Sequence, residues 1–489
     1  MGLLGIIVAL ALLIWLAYRG WSILLLAPAA ALIAAAFARE PLLAHWTQTF
    51  MGNASQFLAQ FFPLFLLGAL FGKLMDDSGS VKAIAQYMTE KLGPSHAILA
   101  VILAGAAVTY GGVSLFVAFF VLAPMALELF RAANIPRRLI PAAIALGTST
   151  FTMSALPGTP AIQNAIPMPF FGTTPFAAPG LGIIASAIML GFGLWWLRRE
   201  EGKARVKGEG FEAGAEGSPT AVTPHDVADD QFIRERATAA REFDPAEIHH
   251  GHRAETLPPI WIATLPLMVV VLVNLLMALF VLPTRDFSFL AEERWGATSF
   301  AAVGGVWSVA IALATATLVL VILNRERLTA LRASMDAGAN ASVLPALSVA
   351  SLVGFGAVVA MLPAFAVVRD WVLSLGGGVL VSLTVATNVL AALTGSASGG
   401  LTIALDTLGE TYMRLAAEQG IDPALLHRVS VIGAGTLDSL PHNGAVVSLL
   451  AVCGSTHRES YRDIVVVAIL GAMLALVAVI VLGATFGSF

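Results

Sequence analysis

The stretch Leu393-Thr-Gly-Ser-Ala-Ser-Gly-Gly-Leu401 interrupts a strongly apolar region with glycines and small hydroxyl residues. A second interruption, Thr109-Tyr-Gly-Gly-Val-Ser114, lies at a corresponding place in the first half of the chain. Irregular backbone at membrane depth is costly unless it lines a cavity or a binding site. The two breaks together therefore predict a secondary transporter.

The composition indicates a protein that lies largely in lipid. The chain has 489 residues, of which 58% are hydrophobic and 12% are charged, whereas soluble proteins carry about 25% charged residues. The net charge of -4 is spread along the chain without a basic stripe, so nucleic acid is not an expected partner. The single cysteine, Cys453, rules out an intrachain disulfide and a thiolate metal cluster. We expect no cofactor and no bound metal ion.

Apolar stretches of about 20 residues, the length that crosses the hydrocarbon core, recur in the same order in both halves of the chain. Each half contains three spans, one broken region and two further spans. The first half has spans at 2–18, 21–38, 55–72, 138–165 and 176–197 and its broken region at 94–130; the second half has spans at 259–283, 298–323, 342–367, 425–452 and 463–487 and its broken region at 375–417. The sequence therefore predicts an all-α polytopic membrane protein with two transmembrane repeats, residues 1–197 and 257–489. The charged segment 198–256 is interpreted as a flexible cytoplasmic linker.

Basic residues in short loops favour the cytoplasm, and most basic groups fall on one side of the membrane under these spans. Both termini then face outward, and the expected location is the cytoplasmic (inner) membrane. Each half has an odd number of crossings, whether its broken region is a re-entrant hairpin or two full passes, so the halves form inverted-topology repeats. Lys73 is interpreted as an interface residue, while Arg369, Arg414 and Arg428 fall on the outer side. The inner groups are Lys73/Lys82/Lys91, Arg131/Arg137/Arg138, Arg198/Arg199, Arg325/Arg327/Arg332 and Arg458/Arg462.

Polar turns that follow the two breaks support the repeat. The first is Gly147-Thr-Ser-Thr-Phe-Thr-Met-Ser-Ala-Leu-Pro-Gly-Thr-Pro160, and the second is Gly433-Ala-Gly-Thr-Leu-Asp-Ser-Leu-Pro-His-Asn-Gly444. The separations from Gly112 to Pro136 and from Gly400 to Pro423 differ by one residue. Chance identities are common in Ala/Leu-rich sequence, so these offsets carry more weight than the matching letters.

A helix that begins at a break presents backbone N–H groups and the positive end of its dipole, which favour an anion. A carboxylate is the expected ligand, and glycine lets it touch the backbone. Hydroxyl and amide side chains in the breaks and turns suit a hydroxy acid or sugar acid. The candidate substrate-binding residues are Thr109, Tyr110, Gly111, Gly112, Ser114, Thr152, Ser154, Gly158, Thr159, Gln163, Asn164, Ser396, Ser398, Gly399, Gly400, Ser439, His442 and Asn443.

Asp438 is the only acidic residue within the two Leu-Pro motifs. A carboxylate at membrane depth is costly enough to be a functional candidate, and His442 titrates near neutral pH. We therefore expect Asp438 and His442 to carry a coupling proton. The alternative is that Asp438 lies in a water-filled vestibule and that His442 only hydrogen-bonds to backbone; the sequence leaves both open.

Four motifs in order resemble the gluconate permease (GntP) family, part of the wider ion-transporter group of carboxylate carriers. They are Tyr110-Gly-Gly-Val-Ser-Leu-Phe-Val117, Ser154-Ala-Leu-Pro-Gly-Thr-Pro160, Gly395-Ser-Ala-Ser-Gly-Gly-Leu401 and Leu440-Pro-His-Asn-Gly-Ala-Val446. The resemblance covers nearly the whole chain except the linker. It implies import of gluconate or a related small hydroxycarboxylate by proton symport.

Three other interpretations compete with this one. Small residues in membrane helices often serve only close helix packing, although two clusters in corresponding positions favour a site. Sodium coupling is open, since hydroxyls and unwound carbonyls in the breaks can hold an ion. A membrane-embedded enzyme that uses Asp438 and His442 as an acid/base pair is the least favoured, because the chain has no obvious nucleophile or nucleotide motif.

A homo-oligomer is compatible with the sequence, which does not give the oligomeric state.

Overall fold

The computed structural model describes residues 2–18, 21–211, 254, 256–373, 377–441 and 443–489, and all regular secondary structure in these ranges is helical. The all-α fold expected from the sequence is confirmed. The first half contains α1 (Gly2–Tyr18), α2 (Ile23–Ala38), α3 (Leu42–Asp77), α4 (Ser80–Leu92), α5 (Ala97–Tyr110), α6 (Leu115–Ala132), α7 (Ile140–Thr148) and α8 (Pro179–Val206). The second half contains α9 (Ile260–Thr284), α10 (Phe300–Leu323), α11 (Leu331–Met361), α12 (Phe365–Leu373), α13 (Gly378–Thr394), α14 (Ala397–Gln419), α15 (Pro423–Thr436), α16 (Gly444–Val452) and α17 (His457–Phe486).

The same order of elements occurs in both halves. Each half has three helices, a short helix, and two helices joined by a tight turn; an interrupted helix and a final long helix follow. The tight turns are the two breaks of the sequence, since α5 and α6 flank residues 111–114 and α13 and α14 flank residues 395–396. The interruptions that follow α7 and α15 contain the two Leu-Pro motifs. Glycine, proline and small polar residues thus end helices where the sequence predicts.

The helices pack in matching pairs. Within the halves, α1 contacts α2 as α9 contacts α10, and α5 contacts α7 as α13 contacts α15. Between the halves, α2 packs on α11 as α10 packs on α3, and the equivalent helices α3 and α11 pack on each other, as do α8 and α17. Each of these pairs has a counterpart when the halves are exchanged, which is the pattern that a two-fold relation between repeats produces.

Six helices in the described ranges are long and apolar enough to cross a membrane, namely α3, α8, α9, α10, α11 and α17. One further pair, Ser80–Leu92 and Pro94–Tyr110, passes the same criterion together but is bent by 101°. Large apolar side chains such as Leu43, Trp261 and Leu318 are exposed on the outside of the bundle. Such surface is stable only against lipid or another apolar partner.

A charge cluster at one end of the molecule joins the two halves. Arg138 contacts Asp463 of α17 at 2.8 Å and Glu209, just beyond α8, at 2.8 Å. Trp196 of α8 donates to Asp463 at 2.9 Å, and the Arg462 guanidinium lies 5.5 Å from the centre of the Trp196 ring. Arg138 and Arg462, which come from different halves and which the sequence assigns to the same side of the membrane, therefore lie in one cluster.

The final helix of the first half is longer than predicted. It continues to Val206, past Arg198, where the sequence predicts the linker to begin. Arg199 and Lys203 both lie over the Trp196 ring, at 5.6 Å from its centre, and these contacts favour continued helix. The remainder of the predicted linker, residues 212–253 and 255, falls outside the described residues.

One basic residue, Lys73, lies elsewhere than predicted. Lys73 does not reach the membrane interface, because its side chain is 1% exposed and pairs at 3.0 Å with Asp77, which is 0% exposed. Arg428 is also buried, because α15 is packed between neighbouring helices and the residue is 0% exposed; its assignment to the outer side of the membrane stays a prediction. The error has one cause: position along a predicted span does not show which side of a helix faces protein.

We predict that Lys73→Met destabilises the fold by about 3 kcal/mol, because the Asp77 carboxylate stays buried without its cation. The double variant Lys73→Met/Asp77→Leu should recover most of the loss, because it removes both buried charges. Thermal unfolding of the purified protein measures both effects. Arg332→Met is the matched control, since it breaks an exposed pair with Asp336 at 3.7 Å and should change stability little. A single Lys73 variant as stable as this control would contradict the prediction.

Candidate substrate-binding site

A cavity of about 180 Å³ lies where the first tight turn meets helices of both halves. Its walls are the turn after α5, the loop that follows Met153, one stretch of α3 and one of α11, with the first turn of α14 completing it. The lining residues are Leu64, Phe65, Gly68, Ala69, Thr109, Gly112, Val113, Ser114, Leu115, Thr148, Met153, Pro160, Ala161, Ile162, Gln163, Ala341, Ser342, Pro345, Val349 and Ser398.

The structure brings five predicted residues together in this cavity: Thr109, Gly112, Ser114, Gln163 and Ser398. Four come from the first half and Ser398 from the second. Residues almost 290 positions apart in the sequence therefore share one wall.

The cavity offers neutral polar groups on an apolar background. Thr109, Ser114, Thr148, Ser342 and Ser398 contribute hydroxyl groups, and Gln163 contributes an amide. None of the described residues that line it has an ionisable side chain. A charged ligand must therefore be stabilised here by hydrogen bonds, helix dipoles and charges behind the walls.

The two helices that begin at the breaks differ in how their N-termini are occupied. Ser114 makes no side-chain cap to α6, and both Ser114 and Leu115 line the cavity. At the start of α14, Ser396 accepts from the Gly399 amide at 3.2 Å and Asp438 accepts from the Ala397 amide at 2.8 Å. The Asp438 carboxylate thus occupies the N-terminus of α14, whereas the N-terminus of α6 opens toward the cavity.

Two glycines at the first turn are required by backbone and packing. Gly112 has a φ of +97°, in the left-handed region, and a Cβ there would lie 3.0 Å from Pro160 Cγ. A Cβ on Gly111 would lie 2.1 Å from Leu267 Cδ2 of α9. Only Gly112 lines the cavity; Gly111 allows the turn to pack against the neighbouring helix.

Other predicted residues of the first half hold the break in place. Tyr110 donates to Pro157 O at 2.7 Å, and Thr109 donates to Thr152 Oγ1 at 3.2 Å. Asn164 donates to Thr159 O at 3.1 Å and to Pro175 O at 3.0 Å. Five of these residues stand outside the cavity lining, and their roles as substrate ligands stay predictions: Tyr110, Thr152, Ser154, Thr159 and Asn164. Gly158 (φ +81°) also lies outside the lining; its carbonyl accepts from Asn274 at 3.0 Å.

In the second half, Asp438 and Asn443 fasten the interrupted helix to the tight turn. Asn443 Nδ2 donates to Gly395 O at 2.9 Å and to Asp438 Oδ1 at 2.8 Å. The Ser439 carbonyl accepts from Tyr461 at 3.2 Å. Neither Asp438 nor Asn443 lines the cavity, and His442 lies outside the described residues.

Ser396, Gly399 and Gly400 pack at the same turn. Ser396 Oγ lies 3.1 Å from Ser398 Oγ, so it sits directly behind the cavity wall. A Cβ on Gly400 would lie 2.2 Å from Ala391 N, and one on Gly399 would lie 2.5 Å from Leu352. These glycines let α13 and α14 approach each other, and α14 approach α11, which gives them a packing role in addition to the predicted one.

Several residues of the site were not predicted from the sequence. Gly68 and Ala69 are two small residues among bulky neighbours in Phe65-Leu-Leu-Gly-Ala-Leu-Phe71. This pattern in the sequence could have indicated a cavity wall. Thr148 and Ala161 stand beside or within a predicted motif, whereas Ser342 and Pro345 had no signal. No group of three or more His, Cys, Asp or Glu side chains suited to a metal ion occurs in the described part of the chain.

Comparison with known proteins gives three findings. Residues 6–336 match the family described as citrate transporter (CitMHS). The chain is 38% identical over 488 residues to the uncharacterized transporter YxjC of Bacillus subtilis (strain 168), covering 98% of each chain. It is also similar to the crystal structure of the YdaH transporter of Alcanivorax borkumensis, reported to have an unusual topology, with a TM-score of 0.52, 16% identity and coverage of 91% of this chain and 89% of that one. At that identity the likeness concerns the fold alone.

Proposed function

Because the chain belongs to the citrate transporter family (CitMHS), we propose that it imports a small hydroxycarboxylate by proton symport. That it is a secondary transporter and not an enzyme follows from the family, so an Asp438/His442 acid/base enzyme is no longer a candidate. The gluconate permease family itself is not shown by the matches. Citrate and gluconate are therefore both substrates to test.

The observation that carries the proposal is the open N-terminus of α6 at the cavity. Uncapped first-turn amides and the helix dipole favour a carboxylate, and Ser114 is part of the cavity wall. Hydroxyl and amide groups of Thr109, Gln163 and Ser398 suit the hydroxyl groups of such an acid. Tight binding also requires that water be excluded, and the apolar remainder of the lining supports this.

We place the two repeats in opposite orientations in the cytoplasmic membrane, with both termini outside. The matching helix pairs and the cluster that contains Arg138 and Arg462 support this arrangement. The cavity lies between the tight turns, which belong to one pair of helices in each half, and α3 and α11. Alternating access then consists of movement of the turn-bearing helices past α3 and α11.

The proton carrier in this proposal is Asp438, with His442 beside it in the sequence. The Asp438 carboxylate accepts hydrogen bonds from the Ala397 amide and from the Asn443 side chain. Protonation removes the negative charge that favours both contacts, and so loosens the hold of the interrupted helix on the turn that carries Ser398. Protonation of Asp438 therefore changes the position of a cavity-lining residue.

One observation favours sodium coupling as the second candidate. The single hydroxyl proton of Thr109 faces three oxygen acceptors: Gly105 O at 2.8 Å, Thr152 Oγ1 at 3.2 Å and Gly147 O at 3.4 Å. Clustered hydroxyl and carbonyl oxygens beside unwound backbone are typical of sodium sites in transporters. Proton coupling and sodium coupling predict different results in the same uptake experiment.

Uptake of labelled citrate and labelled gluconate into proteoliposomes tests the proposal. We expect concentrative uptake under an inward proton gradient without sodium, and competition by small hydroxycarboxylates. Uptake that requires sodium and ignores the proton gradient would replace proton coupling by sodium coupling. No uptake or binding of any carboxylate by inserted, folded protein would overturn the proposed substrate class.

A further inference from the structure

Arg428 is among the largest side chains that are completely buried in the described part of the molecule, at 0% exposure. It lies on α15, and no Asp or Glu of the described residues is within 4.0 Å of its guanidinium. A buried guanidinium that lacks a counter-ion is costly. The fold keeps this charge inside a membrane transporter, where a buried ionisable side chain indicates a function.

The guanidinium is held only by neutral oxygen atoms. Its Nη2 and Nε donate to Ala177 O at 2.7 and 3.2 Å. Its Nη1 donates to Ser154 O at 3.3 Å and to Asn164 Oδ1 at 3.4 Å. These dipoles fix the position of the charge, but they supply no negative charge to it.

The charge lies directly behind the cavity wall. Ser154 follows Met153, and Asn164 follows Gln163, and both Met153 and Gln163 line the cavity. His427 Nε2 contacts the same Asn164 Oδ1 at 3.1 Å, and its Nδ1 contacts Thr173 at 2.6 Å. The second half of the chain therefore places a cation, in a fixed position, against the wall that the first half builds.

We propose that Arg428 is the positive charge that makes the cavity select carboxylates by their number of negative charges. It acts through the wall as a positioning residue and does not touch the substrate. The bound anion supplies the counter-charge that no described Asp or Glu places beside Arg428. This inference rests on the proposed function, since it concerns the ligand of that same cavity, and it adds a preference for multiply charged acids.

The test compares ligands that differ in charge. Binding of a monocarboxylate, a dicarboxylate and a tricarboxylate of similar size is measured for the purified wild-type chain, Arg428→Gln, Arg428→Lys and Arg414→Gln. Arg414 is the control, because it is an exposed arginine of α14 that pairs with Glu418 at 3.1 Å. Thermal unfolding confirms that each variant is folded.

Arg428→Gln should lose affinity on the order of tenfold for each negative charge of the ligand, as expected for a charge interaction across a buried wall. Arg428→Lys should keep the dependence on ligand charge, with a uniform loss, because it keeps the charge but not the bonds to Ala177. Arg414→Gln should bind as the wild type does. A merely structural arginine would instead give equal losses for all three ligands in Arg428→Gln, and that result would overturn the inference.

If Arg428→Gln does not fold, Asn164→Asp provides the second variant. It places a carboxylate beside an unchanged guanidinium, and should reduce the dependence of affinity on ligand charge in the same direction. An unchanged dependence would overturn the inference. If the wild-type chain binds none of the three acids, the proposed function fails; if it binds them and the variants keep its charge dependence, only the role of Arg428 fails.

Discussion

Ser398→Leu should abolish substrate binding, with a loss of affinity of more than about 100-fold, while the protein still inserts and folds. Ser398 is 1% exposed and is the contribution of the second tight turn to the cavity. Leucine removes the hydroxyl group and fills part of a cavity of about 180 Å³. It also leaves Ser396 without its contact to Ser398 Oγ at 3.1 Å. Binding and uptake of labelled citrate and gluconate measure the effect.

The matched control is Ser351→Leu on α11. Ser351 Oγ donates to Leu347 O at 2.9 Å within its own helix, and Ser351 does not line the cavity. The same substitution should leave uptake near the wild-type level. If Ser398→Leu also transports normally, the second tight turn is not part of the substrate site.

Asp438→Asn should abolish accumulation against a gradient but leave exchange of substrate within about threefold of the wild-type rate. The neutral amide oxygen of asparagine can still accept from Ala397 N, which lies 2.8 Å from Asp438 Oδ1, so the turn keeps a weaker contact, like that of a protonated carboxyl group. Asparagine cannot take up a proton, so the link between the proton gradient and the turn is lost. Proton-driven accumulation and counterflow, measured in the same proteoliposomes, separate the two activities.

Asp422→Asn is the control for this prediction. Asp422 also caps a helix, α15, by accepting from Ala424 N at 2.8 Å, but it is exposed. Its amide variant should accumulate substrate normally. An Asp438→Asn protein that still concentrates substrate would show that Asp438 is not the proton carrier. The oxygen cluster around Thr109 would then be the next candidate for the coupling site.

The breaks in the helices were predictable because they depend on local chemistry. Gly395 and Ser396 separate α13 from α14, and residues 111–114 separate α5 from α6, as the glycine and hydroxyl residues indicated. Hydrophobic length predicted the order of the helices, but only six helices in the described ranges, or seven spans with the bent pair, are long enough to cross a membrane. Boundaries were less accurate where polar residues pack on a neighbour: α11 begins at Leu331, not near residue 342, because Ser334 and Gly338 of its first turns pack against α3.

The site was predictable only in part. The sequence pointed to Thr109, Ser114, Gln163 and Ser398, because small polar residues in an apolar region are locally recognisable. It did not indicate Ser342 or Pro345, whose position in the cavity depends on how α11 packs against α3. It placed Lys73 at the membrane interface, because one-dimensional hydropathy does not show that the side chain pairs with Asp77 inside the protein.

The sequence by itself determined the helical class, the two breaks and their repetition, because hydrophobic length and backbone conformation are properties of neighbouring residues. The tertiary structure decided which helices meet at the cavity, which helix N-terminus stays open and which is capped by Asp438, and where the Arg428 charge lies. These features depend on contacts between residues hundreds of positions apart, and such contacts exist only once the two halves have packed together.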